Sequence, residues 1–133
     1  MTIFDVHYSF LGRMHLASHV ELLSEEKQAL IREGIEYFNH LSAIKGDALP
    51  YLPFGFTDFT QKQVACGLLH GDTLYLAVWN LGGGAVTVPL ERAVRKASVA
   101  YPSGADTGLT VEGDKVTVKF TEEYQARFLE IRF

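Results

Sequence analysis

The sequence predicts a mainly β protein with N-terminal helices (α+β): an antiparallel β-sandwich preceded by two helices. Two observations carry that prediction. Apolar residues recur every three or four positions in the first third of the chain, then alternate every second position from residue 62 onward. The alternating part is also cut into strand-length pieces by short Gly/Asp/Pro/Ser clusters. At 133 residues the chain has room for one compact domain with a helical appendage, and for a real core.

Taking the elements in order, residues 4–17 form the first helical candidate, with Phe4, Tyr8, Leu11, Met14 and Ala17 on one face. Residues 24–44 form the clearest helix. Ser24 is a natural N-cap, and Glu25 and Glu26 suit the positive end of the helix dipole. Leu30, Ile31, Gly34, Ile35, Phe38, Leu41 and Ile44 then follow at helical spacing, over a length of about 30 Å. Gly34 in the interior costs about 1 kcal/mol relative to Ala, a cost that close approach of another backbone would explain. Gly46 is the expected stop. Residues 1–47 are thus a helical segment. Residues 48–61 are a link in which Pro50 and Pro53 oppose a regular helix or central strand. Its aromatic residues Tyr51, Phe54, Phe56 and Phe59 mark it as wedged against something rather than as a free tether.

Residues 62–133 read as the sandwich. The expected strands are Gln63–His70, Thr73–Asn80, Ala85–Pro89, Lys96–Tyr101, Thr107–Glu112, Lys115–Thr121 and Tyr124–Phe133. Gly71-Asp72, Gly82-Gly83-Gly84, Pro102-Ser103-Gly104 and Glu112-Gly113-Asp114 join them as turns, the glycine triplet being read as a loose hairpin loop. In the second strand Leu76 and Val78 form the natural core face, with Tyr75, Ala77 and Trp79 on the other. Trp79 is then either exposed for a ligand or covered by the helices, and the helices' need for a partner favours cover.

Composition narrows the function. The chain is 47% hydrophobic and 21% charged, with a net charge of −4, which offers no electrostatic footprint for nucleic acid. No apolar run approaches the ~20 residues that span a bilayer, and the first residues lack the pattern of a signal peptide; a cytoplasmic location is the expectation. The lone Cys66 excludes an internal disulfide and any cysteine-based zinc site, and its apolar neighbours suit a buried structural thiol. His15 and His19 have the i, i+4 spacing of a metal pair, but no Glu follows His15 as in HExxH, so they read as ordinary histidines near a helix end. The glycine triplet is followed by strand rather than by Lys-Ser/Thr and a helix, so it is no phosphate loop. The carboxylates Glu25/Glu26, Glu122/Glu123, Asp58 and Asp72 lie in a helix first turn or in loops. None sits at the end of an apolar strand, where a barrel enzyme places its catalyst. No catalytic residue, metal site or cofactor is expected.

Three stretches together resemble the C-terminal end of family 36 glycoside hydrolases, the α-galactosidase (melibiase) group. Phe10-Leu11-Gly12-Arg13-Met14-His15-Leu16-Ala17-Ser18 is similar to that family's LGR(I/L/M)H-S segment near the end of its catalytic (β/α)8 barrel. Leu23-Ser24-Glu25-Glu26 with Glu33-Gly34-Ile35-Glu36-Tyr37-Phe38 resembles its LS-E…EGI-YY helix. Leu49-Pro50-Tyr51-Leu52-Pro53-Phe54-Gly55, Leu74–Trp79 and Tyr101-Pro102-Ser103 resemble the barrel exit and the terminal β-sandwich. The resemblance implies that the helices are the last elements of a barrel and that the strands are the accessory domain. The family is a retaining group that uses two aspartates, one in a Lys-Trp-Asp type motif and one in a Cys-x-x-Gly-Gly type segment. Neither motif occurs here, and the barrel strands that would carry them would precede Met1.

The leading expectation is therefore a noncatalytic, structural region of an α-galactosidase-like enzyme. Its partner would be the parent catalytic barrel, or a second copy paired through the N-terminal helices if these do not fold back onto the sheet. A carbohydrate-binding module is the alternative, with Trp79, Tyr51, Phe54 and Tyr101 as sugar-stacking candidates. A free-standing interaction domain is the third reading.

Overall fold

The computed structural model describes the backbone of residues 3–17, 19–58, 60–105 and 108–133, and the side chains of all of these except Ile3, Phe4, Asp5 and Tyr8. The expected roles of Phe4 and Tyr8 on the first helix face, and of Phe59 in the link, lie outside these described groups, as does the proposed strand start at Thr107.

Helix α1 runs over Ile3–Leu11 and α2 over Glu25–Ser42, joined by a segment containing a 3-10 turn at Val20–Leu22. Among the described residues eight strands follow: β1 Leu49–Tyr51, β2 Gln63–His70, β3 Thr73–Asn80, β4 Gly84–Pro89, β5 Lys96–Tyr101, β6 Thr110–Glu112, β7 Lys115–Phe120 and β8 Gln125–Arg132. They form two antiparallel sheets, a five-stranded one in the order β1-β2-β3-β8-β5 and a three-stranded one in the order β4-β7-β6. The mainly β fold with two N-terminal helices is the one the sequence predicts.

The five-stranded sheet is the middle of three layers. Leu74, Leu76, Val78, Leu129 and Ile131 on one face meet Val86, Val88, Val116, Val118 and Phe120 of the smaller sheet. Ala77, Trp79, Tyr101, Ala126 and Phe128 on the other face meet Val6, Phe10 and Leu41 of the helices. Because both faces of the sheet are covered, β3 is buried continuously from Leu76 to Asn80 rather than at every second residue.

Several expected boundaries move, for local reasons. The first helix ends at Leu11 rather than at Ala17: Gly12 is a bend, residues 13–17 have no regular structure, and Lys45 Nζ donates to the Gly12 carbonyl at 2.9 Å. Ser24 caps α2 through its side chain, which accepts from the Lys27 N–H, as expected. The helix ends at Ser42 instead of continuing to Ile44, and Gly46 lies in the turn beyond it. The link contributes β1, an edge strand; Pro50 is tolerated there because only one neighbour, β2, is hydrogen-bonded to it. The glycine triplet is not a hairpin loop. It carries the chain from β3 in the large sheet to β4 in the small one, with Gly83 and Gly84 at φ +76° and +83°. Asn80 holds this crossing: its side-chain amide donates to the Gly84 carbonyl at 3.0 Å and its oxygen accepts from the Gly82 N–H at 2.9 Å. Gly71-Asp72 is a two-residue hairpin loop, and the expected Glu112-Gly113-Asp114 turn narrows to Gly113-Asp114, since Glu112 pairs with Lys115.

Candidate functional site

The four aromatic candidates do not converge on one surface. Trp79, on β3, is 1% exposed beneath the helices, so the covered alternative holds and no ring face is open to a ligand. Tyr101, at the end of β5, is fully buried, and its hydroxyl donates to the Leu30 carbonyl of α2 at 2.9 Å. Alternation along β5 would put Tyr101 beside Ala97 and Val99, on the face toward the smaller sheet. A bulge between Val99 and Tyr101 turns it to the helix face instead, opposite Phe128. Burial pushes the Tyr101 phenol up to about 12, with the nearby Glu33 carboxylate adding to the rise. Tyr51 packs half-buried against the sandwich core, and its hydroxyl accepts from the Glu91 N–H at 3.2 Å. Phe54 is half-buried as well and lines a shallow depression of about 410 Å³ with Gln61, Lys62 and Gln63. Tyr51 and Phe54 are therefore the two candidates that keep some solvent contact.

The helix layer is joined to the sheet by an aromatic cluster that residue types alone do not disclose. The Phe10 ring stands edge-on to Tyr37, Tyr101 and Phe128, with centroids 5.3, 5.0 and 5.1 Å away. His7, fully buried, lies 5.8 Å from Phe10 and 5.2 Å from Tyr101. Gly34 permits this seating: a Cβ there would fall 2.8 Å from Val6 Cγ1 and 3.4 Å from the Tyr101 hydroxyl. The close approach that the glycine allows is to side chains, not to a second backbone. A polar tie completes the joint, with the Tyr37 hydroxyl donating to Glu130 Oε1 at 2.8 Å. Burial first, and then this bond, raise the Tyr37 phenol far above its ordinary range.

The other chemical candidates are dispersed. His15 and His19 lie past the end of α1, and His19 Nδ1 is 2.8 Å from Glu21 Oε1, which holds that carboxyl below its usual range. Cys66 is half-buried on the helix-facing side of β2, where burial pushes its thiol up. It is less enclosed than expected. Among the described residues no group of three or more His, Cys, Asp and Glu side chains is placed to hold a metal ion. No helix among them is long and apolar enough to cross a membrane.

The arrangement is a three-layer unit, and among the described residues the candidate side chains do not converge on one cleft. No family model matches the chain, and no curated protein matches it in sequence. Solved structures that share the fold include the following two. A noncanonic maltogenic alpha-amylase, AmyB, from Thermotoga neapolitana aligns with 98% of this chain at a TM-score of 0.65 and 12% identity. The galactosidase domain of the alpha-galactosidase-sucrose kinase AgaSK aligns with 85% of it at a TM-score of 0.58 and 22% identity. The chain spans 36% of the first of these chains and 17% of the second. In fold, then, the helices and the two sheets together match a portion of these two larger chains.

Proposed function

We propose that this chain is the noncatalytic accessory region of an α-galactosidase-like glycoside hydrolase of family 36, with a structural role beside a catalytic barrel. The observation that carries the reading is the likeness of the helices and sandwich together, rather than of the sandwich alone, to a portion of larger glycosidase chains: the AmyB alignment takes in 98% of the residues. The ordered motifs at residues 10–18, 23–38 and 49–55 supply the α-galactosidase assignment. A domain that braces a neighbour needs a firm joint of its own, and the aromatic cluster around Phe10 provides one.

The test has two parts. The purified chain should release no p-nitrophenol from p-nitrophenyl α-galactoside; release above the blank refutes a noncatalytic role. Mixed with a family 36 barrel prepared without its own accessory region, the chain should co-elute on gel filtration and raise the barrel's melting temperature. Independent elution at concentrations of tens of micromolar would remove the support for a barrel partner.

Carbohydrate binding is the second reading, and the position of Phe54 favours it. A half-buried ring beside the amides of Gln61 and Gln63 and the ammonium of Lys62 combines a stacking face with hydrogen-bonding groups. Amide shifts at Gln61–Gln63 on titration with melibiose, lost in Phe54→Ala, would establish it; their absence at millimolar sugar removes it.

A further inference from the structure

We propose that the end of the central sheet where β3 and β5 begin and β8 finishes binds a small phosphate monoester, held by Arg95, Lys96 and Arg132. The inference does not depend on the glycosidase reading. These three residues line a depression of about 360 Å³ together with Asp72, Thr73 and Phe133. Pockets for small metabolites begin at roughly this size.

Charge makes the place unusual in a chain of net charge −4. Asp72 is the acidic side chain in the lining, and it is already engaged. The Arg92 guanidinium donates to its Oδ1 at 3.1 Å and lies 4.4 Å over the Phe133 ring. Glu130, two residues along β8 from Arg132, accepts from the Tyr37 hydroxyl. Among the described residues no carboxylate forms an ion pair with Arg95, Lys96 or Arg132.

The register sharpens the point. Arg132 of β8 stands directly opposite Lys96 of β5 on one side and Thr73 of β3 on the other. Facing residues project to the same side of a sheet, so two cations are held side by side, an arrangement that destabilises a strand pair. The backbone keeps them there: the Arg95 N–H donates to the Arg132 carbonyl at 2.8 Å, and the Phe133 N–H to the Asp72 carbonyl at 2.9 Å. An anion between the two side chains relieves the repulsion. Two guanidinium forks and one ammonium suit a tetrahedral oxyanion of charge near −2, which is the state of a phosphate monoester at pH 7. The Thr73 hydroxyl adds a neutral donor.

The test is an amide-shift titration of the 15N-labelled full chain with inorganic phosphate and with glycerol 3-phosphate, at fixed ionic strength. Sodium chloride and D-glucuronate serve as comparisons. Saturable shifts at Thr73, Lys96 and Arg132 are expected with both phosphates, with affinity reduced roughly tenfold or more in K96Q/R132Q. Without ligand, that double variant should melt at or above the wild-type temperature, since it removes a repulsion. Linear shifts that chloride reproduces would reduce the site to charge screening and overturn the proposal. Tighter binding of glucuronate would overturn the phosphate class in favour of a carboxylate site. A lower melting temperature for the double variant would make the basic pair structural, and would overturn the proposal too.

Discussion

Phe10→Ala tests whether the helices are an integral layer of this fold. Phe10 is fully buried and has four aromatic neighbours, drawn from α1, α2, β5 and β8, at 5.0 to 5.8 Å. Truncating a buried Phe costs about 3–5 kcal/mol through lost transfer energy and the cavity left behind. The edge-on pairs, worth roughly 0.5–1.5 kcal/mol each, place this site in the upper half of that range, near 4 kcal/mol. Against a total stability on the order of 5–15 kcal/mol this is a large fraction. For a chain of this size it corresponds to a fall of roughly 12–20 °C in melting temperature. The assay is urea and thermal unfolding followed in parallel by far-UV circular dichroism and by the fluorescence of Trp79, which lies in the same buried cluster. Both probes should shift together. A loss below about 1 kcal/mol would refute the reasoning, because a filled aromatic joint cannot be emptied that cheaply. So would helical signal melting first while the sheet persists.

Three further outcomes follow from the same geometry. Gly67→Ala should destabilise by about 1–3 kcal/mol in urea titrations, since a Cβ at this position would come within 2.6 Å of the Tyr75 carbonyl oxygen and force β2 from β3. Tyr37→Phe should cost roughly 1–2 kcal/mol by removing the bond to Glu130, and Glu130→Gln measured in the Tyr37→Phe background should then cost much less than alone. Stability should fall as the pH rises from about 10 toward 12: the folded Tyr101 phenol is pushed up to about 12, so the unfolded chain loses its proton first and is favoured in that window. Tyr37 is shifted in the same direction. A urea midpoint unchanged between pH 9 and pH 11 would contradict this.

Much of the fold is legible in the sequence because its causes are local. Alternation and turn residues place β2, β3 and β5 at the expected bounds, and the apolar surplus on the helices points to cover for Trp79. Three things are not legible, and each depends on distant partners. The end of α1 is followed by a contact from Lys45 to the Gly12 carbonyl, which the spacing of Leu11, Met14 and Ala17 cannot register. The sheet to which β4 belongs is decided by a crossing that Asn80 secures, while glycine content alone suggests a hairpin. The bulge after Val99 reverses the side to which Tyr101 points, so an aromatic that looks available to a sugar is instead a core residue. The basic end of the sheet is missed for a similar reason. Lys96 and Arg132 are far apart in the chain, and only the register brings them together.

The place of β8 has a consequence for how the molecule forms. This strand, the last of the eight, lies between β3 and β5 rather than at an edge. Until it inserts, β3 has no neighbour on that side, and the floor beneath the helices lacks Ala126 and Phe128. The helices thus wait for β8 before the surface they cover is complete. Contacts of such long sequence separation place the chain among the slower folders, with closure in milliseconds to seconds. During that interval the apolar faces of α1 and α2 are open to other molecules, so the yield of folded protein depends on how soon the final strand reaches its slot.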